Sequence, residues 1–360
     1  MVACCADSNR ARSGWSILAG VGLAFGFTLW CAWFSQADSG SEKPSGPGMT
    51  MAAKAFVQSL DESQRATALM AFDSPERTRW HFVPLQDKDR NPTRKGLRLE
   101  KMNDAQREMA LALLKSGTSE RGYDEARQIM SLETVLDDLE KTKANVRNPL
   151  WYFVSIFGEP GDEKGWGWRF EGHHLTLNVT LKGNQVVSAT PSVFCSNPAV
   201  IKSGKKVGLA TLPGTLSKAE ALVESLSENQ KGEARVKTLM AEVDQANAKA
   251  PAQPDEGIRW TALDDTQKKL LHQVLREYTG RLPGDVEAAT WRRVTDSQDD
   301  SLRFAFARED QKPGRPVTYR VSGKGFLVQF LNVQSDAEGT PANHFHTALR
   351  RPSGDFTTTP

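Results

Sequence analysis

Apolar residues recur at helical spacing in two distant stretches: Met109, Leu113 and Leu114, then Leu271, Val274, Leu275 and Tyr278. Each stripe predicts a helix with one face on a core. Four helix starts carry a short polar residue followed three places later by glutamine: Asp61 and Gln64, Asn103 and Gln106, Ser227 and Gln230, Asp264 and Gln267. The first side chain can accept from a free first-turn amide while the glutamine reaches back to the cap residue's own N–H. Behind the helices the period changes to two. Leu175, Leu177, Val179 and Leu181 alternate with Thr176, Asn178 and Thr180, which predicts a strand with one face buried. Lys182-Gly183-Asn184 then predicts a turn into Gln185-Val186-Val187, and Thr318 to Val321 and Phe326 to Leu331 are strand-like around Ser322 to Gly325.

The pattern repeats. The stretch from Ala55 to Gln64 returns as Ala221 to Gln230, and Gly96-Leu97-Arg98 with Asp104 and Gln106 is echoed by Gly257-Ile258-Arg259 with Asp265 and Gln267. The expected architecture is α+β: an internal tandem duplication, each half a helical subdomain followed by a mostly antiparallel sheet. The expected boundaries are a leader at 1–37, a flexible linker at 38–51, a first repeat at 52–215 and a second at 216–360. Pattern alone leaves open whether the two sheets merge.

Arg10 and Arg12 precede an uncharged run from Trp15 to Phe34, about 20 residues, the length of a membrane-crossing helix. The run fits a retained anchor, and Ser35-Gln36-Ala37 equally fits a signal-peptide cut. Either way the positive flank stays in the cytoplasm and the rest is exported. The expectation is an extracytoplasmic protein, with the membrane as partner if the leader is uncleaved. The chain has 46 basic and 44 acidic residues, too balanced for a dedicated nucleic-acid binder. Its cysteines are at 4, 5, 31 and 195, so loss of the leader leaves Cys195 alone, read as a small buried residue.

Four of the six histidines fall in two pairs. If 343–348 is extended, His344 and His346 project from one face about 7 Å apart along the backbone and can converge on one metal ion. His173 and His174, read as strand residues, point to opposite faces, so only one of them can join the other pair. His174 shares its face with Thr176 and Asn178 and is the better ligand; a bend at Gly172 would reverse the choice. The metal reading takes His344, His346 and one of His173 and His174, with Glu171 or Asp355 in reserve, around zinc, copper or iron. Three neutral imidazoles leave a position for water, with Glu171 as candidate general base. The plain alternative has these histidines filling core gaps and an edge strand.

Aligning Arg169 with Arg320 and Gly172 with Gly323 sets Lys324 and Gly325 opposite His173 and His174, so the halves carry unlike polar groups and a site between them is expected. Arg350 is a candidate catalytic residue, able to bind a substrate carboxylate or phosphate, with a salt bridge to Asp355 as the ordinary alternative. Trp151, Tyr152, Trp166, Trp168 and Phe170 fit a sugar pocket or, more plainly, core packing. The second functional reading is thus a non-catalytic module for a carbohydrate or anionic small molecule. A third is a purely structural envelope protein. The chain lacks Gly-x-Gly-x-x-Gly, a phosphate loop, Gly-x-Ser-x-Gly, His-Glu-x-x-His and Cys-x-x-Cys.

The ordered set Trp80, Pro84, Arg94-Lys95-Gly96-Leu97, Gly122-Tyr123, Leu132-Glu133, Phe157-Gly158-Glu159-Pro160, Trp166 to Leu175, Thr190-Pro191 and His344-Phe345-His346 with Arg350, Pro352 and Asp355 resembles the bacterial family named domain of unknown function 3500. The resemblance spans Ala52 to Phe356. It implies export or membrane tethering and no particular activity. Arg351, Gly354 and Thr357 depart from the family pattern, where an acidic residue, Asn and Gly are usual, and relatives continue past the position of Pro360.

Overall fold

The computed structural model describes residues 43–140, 144–312 and 314–356. The apolar run and the Ser35-Gln36-Ala37 cut lie outside them; among the described residues no helix is long and apolar enough to cross a membrane.

The first series of elements runs α1 (Gly46–Ser59), α2 (Glu62–Ala68), β1 (Leu69–Met70), β2 (Leu97–Arg98), α3 (Asp104–Ser116), α4 (Glu120–Leu139), β3 (Phe153–Phe157), β4 (Trp166–Gly172), β5 (Leu175–Lys182), β6 (Gln185–Ser188) and β7 (Ser192–Phe194). The second runs α5 (Pro213–Ser225), α6 (Glu228–Ala234), β8 (Ile258–Arg259), α7 (Asp265–Thr279), α8 (Gly284–Thr295), β9 (Arg303–Arg308), β10 (Val317–Gly323), β11 (Phe326–Gln334) and β12 (His344–Arg350). Two boundaries differ from expectation. Residues 46–51, assigned by composition to the linker, form the first turns of α1, because Pro47 sits where a helix has no N–H to lose and Met49 and Thr50 are buried. The second series begins at Pro213, ahead of the expected 216.

All four cap boxes form, and the glutamines do more than cap. Gln64 and Gln106 bond each other, Gln106 also donating to the Ser59 carbonyl and Gln64 to that of Lys101. Gln230 and Gln267 repeat the arrangement, with donations to Ala262 and Ser225. Each pair clamps a short helix onto a long one. Gln267 is buried, so Gln267→Ala leaves the Ser225 carbonyl and the Asp264 N–H without partners. A loss of about 1–3 kcal/mol is expected from urea unfolding.

The strands form one sheet in the order β1-β3-β4-β5-β7-β12-β11-β10-β9-β8, with β2 also on β3 and β6 on β5. Among the described residues β1 with β3 is the one parallel strand pair, beside an isolated parallel bridge between Arg235 and Phe306. The two expected sheets thus merge, joined where β12 meets β7 through Ala348 opposite Val193 and Leu349 opposite Ser192. The helices cover one face, over a core that includes Tyr152, Trp166, Trp168, Phe170, Tyr319 and Phe330. The other face is covered by the coil segments 79–83 and 240–248, over a smaller cluster that includes Trp80, Phe82, Val193, Cys195, Val243 and Ala348. This explains a departure from the alternating pattern of β5. Leu175 to Leu181 is buried on both faces, because Thr176, Asn178 and Thr180 lie under coil rather than water.

Candidate metal centre

β12 brings His344 and His346 to the coil-covered face of the sheet, in register with β11 through Leu331 opposite His346. The extended spacing expected of His-x-His holds. His344 is anchored at its backbone N–H by Asn332 Oδ1, and the Nε2 atoms of the two rings are 3.0 Å apart.

His173 and His174 are not strand residues. β4 ends at Gly172, which pairs with Leu175, so the two histidines form a two-residue turn. Parity across a strand therefore does not separate them. His174 has φ 65°, in the left-handed region that a side chain enters at a strain of about 1–3 kcal/mol. Backbone bonds hold it there: its N–H donates to the Phe82 carbonyl, its carbonyl accepts from Cys195, and the His173 carbonyl accepts from Tyr152 Oη. The outcome is a His174 ring whose Nε2 is 3.0 Å from that of His344. One ligand atom from each of His174, His344 and His346 lies within 4.8 Å of the others.

Nitrogens this close fit a shared ion: bonds of 2.0–2.1 Å at tetrahedral angles set neighbouring donors about 3.3 Å apart. His346 is also oriented. Its Nδ1 lies 2.7 Å from Glu242 Oε2, and a carboxylate only accepts, so the ring proton sits on Nδ1 and the Nε2 lone pair is free for coordination. Burial opposes the charge on Glu242, but the bond to His346 prevails and holds its carboxyl below the usual range.

His173 stacks on His174, ring centroids 3.8 Å apart, and turns its Nδ1 to Glu133 at 2.5 Å. Arg147 lies beside that contact and pairs with Glu140. His173 thus lies behind a candidate ligand, outside the group of His174, His344 and His346. Glu171 is also otherwise engaged: its carboxylate faces Arg169 at 3.0 Å and Arg94 at 3.6 Å and accepts from the His81 N–H. Arg350 is buried, bonded to Asp355 at 2.6 Å and to the carbonyls of Asp244 and Asn247, so the ordinary alternative describes both residues. Of the aromatic cluster, Tyr152, Trp166, Trp168 and Phe170 are core and Trp151 bonds Glu100. Cys195 is buried, and burial pushes its thiol pKa up.

Glu242 and Glu133 were not legible as partners. Glu242 lies in a coil with no periodicity, 104 residues from His346, and nothing near it marks it out.

Burial lowers the pKa of His173, and burial with the neighbouring imidazoles lowers that of His174 and takes His344 down to about 2. The unfolded chain then binds protons first as pH falls through about 6.5, so stability present above that value is lost below it. In the metal-free chain each of the three is expected to contribute a loss of up to about 1.4 kcal/mol per pH unit. Urea midpoints at about pH 7 and pH 5 check this; equal midpoints contradict it.

The family described as protein of unknown function, DUF3500, matches residues 43–358, and the chain belongs to it. No curated protein and no solved structure matches.

Proposed function

We propose that this DUF3500 member is an exported, metal-dependent hydrolase whose ion is held by His174, His344 and His346. The observation that carries the proposal is the convergence of three Nε2 atoms, one ring oriented by a carboxylate, from residues 170 positions apart in sequence. Three neutral nitrogens and no thiolate suit zinc, copper or iron, and an all-imidazole set of three leaves a position for water. On such an ion water ionises near neutral pH, which favours hydrolysis. Glu171, held by two arginines, is removed from the role of general base in this proposal.

The same reading takes the protein as a tandem duplication. Support comes from the two series of elements, the two glutamine clamps, and the matched two-residue turns His173-His174 and Lys324-Gly325. The ion would then sit where the first half's turn meets the second half's last strand. Export rests on the charge pattern ahead of Trp15.

The test is hydrolysis of p-nitrophenyl acetate by the purified chain. Activity lost on dialysis against a chelator and restored by one equivalent of zinc is the expected result. Activity indifferent to chelation sinks the hydrolytic reading, and a metal that binds without activity reduces the site to a structural one.

A further inference from the structure

The two halves treat one buried arginine differently. Arg169 stands four residues before the β4–β5 turn and Arg320 four before the β10–β11 turn, each opposite an amide, Asn178 and Gln329. Arg169 is fully enclosed, with Glu171 at 3.0 Å and Glu76 at 3.2 Å. At the position of Glu171 the second half has Ser322. Arg320 therefore has no buried carboxylate on its own strand; its ion-pair partner is Glu256 at 3.5 Å, whose side chain is 55% exposed.

The space above Arg320 is open. A cleft of about 1260 Å³ lies between the coils 235–242 and 251–257, with Arg320 and Gln329 among its lining residues and Glu242 at the His346 side. Arg320 is 5% exposed and Gln329 8%, yet Arg320 Nε and Gln329 Oε1 have no hydrogen-bond partner; Arg169 Nε and Asn178 Oδ1 share that state in the first half, but there the Glu171 carboxylate stands 3.0 Å from the arginine Nε, and Arg320 Nε has no such charge beside it. Buried polar groups left in this state destabilise a fold unless something supplies the missing bonds.

We propose that this cleft binds a small hydroxylated carboxylate, its carboxylate on Arg320 in the place Glu171 occupies in the first half and a hydroxyl donating to Gln329 Oε1. Arg320 Nη2 donates to the Pro254 carbonyl, which leaves Nε as the donor for a carboxylate oxygen, and the neighbouring acceptor selects an acid that also carries a donor. The inference does not require a metal at the histidines. If both readings hold, Glu242 connects the ligand cleft to His346.

Calorimetric titration of the full chain with glycolate, citrate and D-galacturonate, and with D-galactose as neutral control, tests it. At least one acid should bind and D-galactose should not. Arg320→Gln should weaken binding about tenfold or more. Ser322→Glu, which provides an internal carboxylate for Arg320, should abolish it while thermal unfolding stays cooperative. Binding of none of the three acids, equal binding of the neutral sugar, or unchanged binding in either folded variant overturns the proposal. The wild-type comparison of acid with neutral sugar decides the matter even if a variant does not fold.

Discussion

If the proposed centre exists, the unaltered protein is expected to carry about one transition-metal ion per chain on elemental analysis and a His344→Ala/His346→Ala chain none. Both rings belong to β12, whose place in the sheet is fixed by pairing with β11 and β7 rather than by the imidazoles, so the variant should remain folded. It also removes a liability of the metal-free state: His346 and His344 lie Nε2 to Nε2 at 3.0 Å, where a shared proton or an ion is required. Glu242→Gln is the graded companion. It loses the charge but keeps an acceptor, and changes of this kind beside a ligand histidine weaken metal binding about 10–100-fold. Equal metal content in the double variant and the wild type would remove the centre altogether.

The largest expected loss of stability is at Arg350. Arg350→Ala strips the buried Asp355 of its partner, frees the carbonyls of Asp244 and Asn247, and removes a guanidinium 4.8 Å from the Trp80 ring centroid. Breaking a buried pair from one side costs about 3–5 kcal/mol. Replacing both partners by apolar residues of similar size, Arg350→Met with Asp355→Leu, should recover much of that loss, because no orphan charge remains. Urea unfolding of the three chains checks both statements. If Arg350→Ala instead left stability unchanged, the arginine would be free to serve a ligand, and the binding reading of this residue would return.

The legible features share a local cause. Cap boxes are decided within four residues, and Asp61, Asn103, Ser227 and Asp264 all cap as read. His344 and His346 face one way because a strand forces it. His174 does meet His344 and His346, but by a route other than strand parity: it lies in a turn, and the backbones of Phe82 and Cys195, with the Tyr152 hydroxyl on its neighbour, hold it at positive φ. The merger of the sheets depends on the long-range pairing of β7 with β12, and the burial of Thr176 and Asn178 and the carboxylate of Glu242 on coil segments whose paths no periodicity encodes. Glu171, read as a reserve ligand and candidate general base, is instead held between Arg94 and Arg169.

The junction of β7 with β12 bears on descent. If the chain arose by fusing two copies of one unit, that unit alone would have exposed an unpaired strand edge, and a homodimer sealing it would be the natural ancestor. Symmetry would have obliged such a dimer to present identical residues on both sides of its axis. The turn histidines, matched by Lys324 and Gly325 in the other half, and the serine standing in for Glu171 could diverge only once a single gene encoded both partners.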